Sequence, residues 1–156
     1  MREKLTGIFI VILLMTLTAG CTRNDGDIGD YFGRWRLEKL TADGEELPLY
    51  TDESGIELYT WSFQGRIIQI AEILPVHEYI THTGSWREDG EILELNFSHY
   101  DDEPARLPEY RAPEALHLVS DGITRLHIGR LKNRQMILSY IGEDGVTYTY
   151  YLKRPV

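Results

Sequence analysis

From Gly33 to Lys153 apolar side chains return again and again at every second position. That period belongs to a strand with one buried face, because successive side chains leave a strand on opposite sides. Gly33, Trp35 and Leu37 share one face of the first run, and Arg34, Arg36 and Glu38 the other. Leu58 to Phe63 sets Tyr59, Trp61 and Phe63 together, while Arg66 to Leu74 is so apolar that its inward face stays open. Tyr79 to Glu88 groups Ile80, His82, Gly84 and Trp86, and Glu91 to Ser98 groups Leu93, Leu95 and Phe97. Ile123 to Leu131, Arg134 to Ile141 and Val146 to Lys153 follow, the last with Val146, Tyr148, Tyr150 and Leu152 on one face. Gln64-Gly65, Asp89-Gly90, Lys132-Asn133 and the stretch Gly142 to Gly145 supply the turns, Asp-Gly being a strong hairpin signal. No convincing amphipathic helix interrupts the series. A meander of about eight antiparallel strands removes its exposed edges by closing on itself. The expected fold is therefore all-β, an up-and-down antiparallel β-barrel spanning residues 31–156.

The residues before the barrel have a different composition. Arg2 and Lys4 give a positive start, Gly7 to Leu17 is almost continuously apolar, and Leu17-Thr18-Ala19-Gly20 leads into Cys21, the single cysteine. A positive n-region, a short apolar h-region and a small-residue junction describe a secretory signal peptide. Gly7 to Ala19 is too short for the ~20 apolar residues of a membrane-spanning helix. A plain cleaved signal would leave Cys21 as a lone thiol in an oxidising compartment. The pattern resembles the bacterial lipoprotein box, in which the cysteine is lipidated on sulfur and becomes the new N-terminus. On that resemblance residues 1–20 are a lipoprotein signal peptide, and 21–30 are the lipidated cysteine and a tether. The implied partner is a membrane, reached through the N-terminal lipid. One acyl chain holds only marginally, each buried CH₂ contributing ~0.8 kcal/mol, so a stable anchor needs two or three. Thr22, not Asp, follows the cysteine, which by the enterobacterial sorting rule implies the outer membrane of a bacterial cell envelope. Asp25, Asp27 and Asp30 read as an ordinary solvated linker.

Gly33-x-Trp35 on a first strand resembles the opening of lipocalins and related calycins, where the tryptophan closes one end of the barrel. Taken with the lipoprotein start, Gly84-Ser85-Trp86 before an Asp-Gly turn and a Tyr-rich last strand, the chain resembles the lipocalin-like lipoproteins of Bacteroidetes. The resemblance implies a barrel that holds a small molecule.

Charge narrows the partners. The leader carries Arg2, Lys4 and Glu3, so the remainder has 14 basic and 24 acidic side chains, a formal charge of −10. That balance argues against nucleic acid and against electrostatic adsorption to anionic lipid. With the one cysteine assigned to lipid, packing alone must stabilise the fold.

Motifs with chemical meaning are few, and no cofactor is implied. Val76-His77-Glu78 lacks a second histidine four residues on; His82 comes five on, where a strand points it to the opposite face from His77. Ser98-His99-Tyr100-Asp101 holds the residue types of a hydrolase triad, but consecutive residues on an extended chain cannot aim at one another. Asp101-Asp102-Glu103 and Asp43 to Glu46 lack any calcium-loop spacing. No catalytic or metal-binding group is therefore assigned, and the chain reads as a non-enzyme.

The inward positions at mid-height include Trp61, Ile70, His82, Gly84, Leu95, Met136, Leu138 and Tyr148. Gly84 adds no volume, and His82 brings a polar atom into an apolar setting. His82 reads first as a core histidine with its nitrogens satisfied, and second as a ligand contact. The expectation is a modest apolar cavity bordered by Trp61, His82, Trp86 and Tyr148, holding a small apolar or amphipathic ligand. The alternative is a barrel filled by its own side chains, with the irregular, proline-bearing loop Tyr100 to Ala115 engaging a protein partner at the envelope.

Overall fold

The computed structural model describes residues 26–49, 58–73, 78–98 and 108–155. The signal peptide, Cys21, His77, and the loop segment carrying His99 and Asp101 to Glu103 lie outside these residues. Among the described residues, nine antiparallel strands form one sheet: β1 (Gly33–Ala42), β2 (Glu45–Glu46), β3 (Tyr59–Gln64), β4 (Ile67–Ile73), β5 (Tyr79–Asp89), β6 (Ile92–Asn96), β7 (Ile123–Lys132), β8 (Gln135–Ile141) and β9 (Thr147–Lys153). Each long strand pairs with the next in the chain, and β1 pairs with β9 to close an eight-stranded barrel. The two-residue β2 is an appendage folded back on the end of β1. The strands that close the barrel lie within Gly33 to Lys153.

The period-two faces fall as the pattern dictates. Trp35, Leu37, Trp61, Phe63, Ile68, Ile70, Leu93, Leu95, Phe97, Leu126, Met136, Leu138, Tyr150 and Leu152 are all buried. Two bulges interrupt the period: a register shift between Leu37 and Lys39 lets Leu40 turn inward after Leu37. A second, between Ile128 and Arg130, places Leu131 opposite the buried Met136. An extra residue on one strand flips the parity beyond it and tightens the twist a small barrel needs. Outside, Glu94 accepts from Arg87 Nε and from Arg125 Nε at 2.8 Å, tying β5, β6 and β7 along one register row.

The two ends differ. At the near end lie the start of β1, the end of β9 and the β3–β4, β5–β6 and β7–β8 turns. Gly26–Tyr31, expected as the tether's last residues and the domain's first, forms 3-10 turns here, broken at Gly29. Tyr31 is buried, its ring 5.5 Å from Phe63 and 5.0 Å from Trp86. Trp35 Nε1 donates to the Tyr31 carbonyl at 2.9 Å, and the Arg154 guanidinium sits 4.7 Å from the Trp35 ring centroid. Aromatic packing and a cation over the indole therefore seal this end.

The far end is closed by a cap from the long β6–β7 connection. A 3-10 turn at Glu114–Leu116 drives Leu116 fully out of solvent. Tyr150 Oη donates to the Leu116 carbonyl at 2.7 Å, and Tyr140 Oη to the His117 carbonyl. Val119 N–H donates to Thr124 Oγ1 at 2.9 Å.

Candidate functional site

Beside that cap a cleft of about 820 Å³ opens at the rim, lined by Glu72, His82, Arg111, Ala112, Glu114, Ala115 and Ser120. Strand register builds its polar floor. Glu72 continues the inward face of Ile68 and Ile70 on β4 and lies directly opposite Tyr59 on β3. His82 on β5 lies opposite Ile70, so its ring reaches Glu72 on the diagonal. Tyr59 Oη donates to Glu72 Oε1 at 2.9 Å; Glu72 Oε2 lies 3.1 Å from His82 Nε2. His82 Nδ1–H donates to the Arg111 carbonyl at 2.6 Å.

These bonds fix the proton inventory. A carbonyl only accepts, so Nδ1 carries hydrogen, and Nε2 then meets a carboxylate oxygen. One further proton must lie between Nε2 and Oε2, and with it on nitrogen the pair is imidazolium and carboxylate. The hydrogen bond from His82 holds the Glu72 carboxyl below its ordinary range, Tyr59 adding to the effect and burial opposing it. Burial, then the bond to Glu72, pushes the Tyr59 phenol up, keeping it a donor.

The sign of the pH effect follows. A carboxyl depressed in the folded state contributes stability above its unfolded value, and that contribution is lost as pH falls through the folded value. Glu72→Gln is therefore expected to be less stable than wild type at neutral pH, the gap narrowing below about pH 4, under the ordinary carboxylate range. Urea denaturation of both proteins across that range measures it. A gap constant with pH would mean that Glu72 is not held charged.

The other expected site residues are dispersed. Trp61 is fully buried in mid-barrel, its ring centroid 5.6 Å from Tyr150. Trp86 sits toward the near end, edge-on to Phe63 at 5.3 Å. Tyr148 lines a separate cleft of about 320 Å³, stacked on His117 at 4.7 Å. Its hydroxyl donates to Asp144 at 2.7 Å, which, with burial, pushes the phenol up to about 12. Only His82 reaches the rim cleft.

The opening expected beside Gly84 is filled. A Cβ there would lie 2.5 Å from the Asn96 carbonyl oxygen and 2.9 Å from the Phe97 ring. Phe97, reaching over from the β6 end, occupies the space that the missing side chain leaves. Among the described residues no group of three or more His, Cys, Asp and Glu is placed to hold a metal ion.

This closed, eight-stranded antiparallel barrel has the lipocalin-like fold. The chain is similar to a lipocalin-like protein from Bacteroides uniformis, at 17% identity over 81% of this chain and 100% of that one, with a TM-score of 0.55. It is similar also to an uncharacterized protein from Bacteroides eggerthii, at 15% identity over 80% and 99% of the two chains, TM-score 0.52. No family model matches the sequence, and no curated protein does.

Proposed function

We propose that this is a non-catalytic binding protein of the bacterial cell envelope, held at the outer membrane through lipid on Cys21, that takes a small amphipathic ligand at the far rim of its barrel. The observation that carries the ligand reading is the Tyr59–Glu72–His82 network, set in the floor of a cleft whose walls include Ala112 and Ala115. Ligand pockets commonly combine apolar walls with a few fixed polar groups. Nile red, an uncharged amphipathic dye, is expected to bind saturably with enhanced fluorescence. Ala115→Trp, at an exposed position, is expected to fill the cleft and abolish that binding without lowering the melting temperature. Absent binding, or binding indifferent to Ala115→Trp, removes the cleft from consideration.

A second reading draws on the filled and capped interior: an interaction module that engages an envelope protein through its far-end loops. It takes precedence if the rim binds nothing. The anchor is tested by itself. Cys21→Ala is expected to release the protein from the membrane fraction with its fold intact, and unchanged, detergent-dependent fractionation would count against lipidation.

A further inference from the structure

The net charge of the chain is −9, yet the barrel does not spread it evenly. On the near end, Lys153 of β9 lies directly opposite Arg36 of β1 and Gln135 of β8, and Gln135 opposite Lys132 of β7. This row of the outer surface crosses four strands. Arg34 on β1 and Arg134 in the β7–β8 turn flank it. Glu38 is the carboxylate within the row, 2.9 Å from Arg36 and 3.8 Å from Lys153. Of this end's acidic residues, Glu88, Asp89 and Glu91 stand apart on the β5–β6 hairpin, and Asp30 is exposed in the entering segment, its carbonyl bonded by Arg154. The far end is the reverse, with Asp43, Glu45, Glu46, Glu114, Glu143 and Asp144 all exposed there.

Strands the length of β1, tilted as in any small barrel, separate the two ends by ~25 Å. The Debye length in physiological salt is only ~8 Å. A charged surface against the near end therefore feels that end's cations and is screened from the far end's carboxylates. Net charge is the wrong measure for such a contact; the local sign decides it.

The chain also enters the barrel at this end, through Gly26–Tyr31. Cys21 lies five residues before Gly26, a reach of at most ~18 Å. We infer that the basic row over β7, β8, β9 and β1 is a docking face for the anionic headgroups of the membrane that carries the anchor. It sets the barrel upright, with its capped rim directed away from the bilayer. The inference rests on the anchor reading for its location, but the patch is testable without any acyl chain.

The test uses residues 22–156, which contain the whole closed barrel, and co-sedimentation with vesicles. Binding is expected to phosphatidylcholine vesicles containing phosphatidylglycerol at low ionic strength, and not to phosphatidylcholine alone. It should disappear in about 1 M salt, where the Debye length is ~3 Å. Each cation at an anionic surface is worth about a fivefold change in partitioning. Lys132→Glu, Arg134→Glu and Lys153→Glu together are therefore expected to lower it at least ~100-fold. Should the triple variant misfold, Lys132→Gln with Lys153→Gln is the milder pair, expected to lose ~25-fold. No preference for anionic vesicles, or a preference that survives either charge variant, overturns the docking face. Because Cys21 plays no part in this assay, such a failure is distinct from failure of the anchor.

Discussion

Trp35→Ala is expected to cost ~3–5 kcal/mol of unfolding free energy, the range for truncating a large, fully buried aromatic. Trp35 is 1% exposed and does three jobs at the near end. It fills the barrel's floor, and its Nε1 satisfies the Tyr31 carbonyl, fixing the chain's approach to β1. It also carries the Arg154 guanidinium on its ring. Alanine leaves a cavity that the surrounding strands cannot close, because β1 is hydrogen-bonded on both sides there, to β3 and to β9. Urea denaturation monitored by far-UV circular dichroism measures the loss. A change under ~1 kcal/mol would mean that the near end is not sealed by this side chain.

Gly84 gives the second large effect, through the opposite fault. A single added methyl must displace the Asn96 carbonyl oxygen, part of the sheet where Ser85 pairs with Asn96, together with the Phe97 ring. The ring can shift, but the carbonyl can do so only by opening the β5–β6 ladder. Gly84→Ala is therefore expected to lose ~1–3 kcal/mol by overpacking, and Gly84→Leu to prevent the barrel from forming. Soluble yield and thermal melts of the two variants check this. A Gly84→Leu protein with an unchanged melting temperature would show that Phe97 leaves room beside it.

These two residues also mark where sequence pattern succeeds and where it stops. Trp35 is legible because period two places it on the face of Leu37, and the turn dipeptides place the strand in a closing meander. Most of the long strands carry such a signal, β4 being the exception. Gly84 shows the limit: the sequence reveals a missing side chain, while the ring filling its place comes from the next strand. Glu72 is hidden for another reason. In Arg66 to Leu74 both faces are apolar, so Ile67, 51% exposed, is indistinguishable by pattern from buried Ile68 and Ile70. Leu40 and Leu131 follow bulges, which no local composition announces. Leu116 lies in an irregular loop and has no period to betray it. Of the expected site, only His82 lines the larger cleft, Tyr148 standing at the far end beside His117 and the two tryptophans lower in the barrel, because parity along a strand gives the face and not the position along or around the barrel.

The cap at the far end is gripped in an uncommon sense. Tyr150 and Tyr140 bond the carbonyls of Leu116 and His117, His82 that of Arg111, and Thr124 accepts from the Val119 amide. Every one of these holds main chain, which any replacement residue also presents, proline alone lacking the amide. Sequence drift along 111–119 is thus tolerated at the exposed positions, and constrained at Ala112, Leu116 and Leu118, whose side chains are buried in the core. The inheritance of the loop's shape is written in the strands beneath it. A lineage built on this barrel can exchange the residues around the rim, and so whatever the rim meets, without redesigning the part that folds.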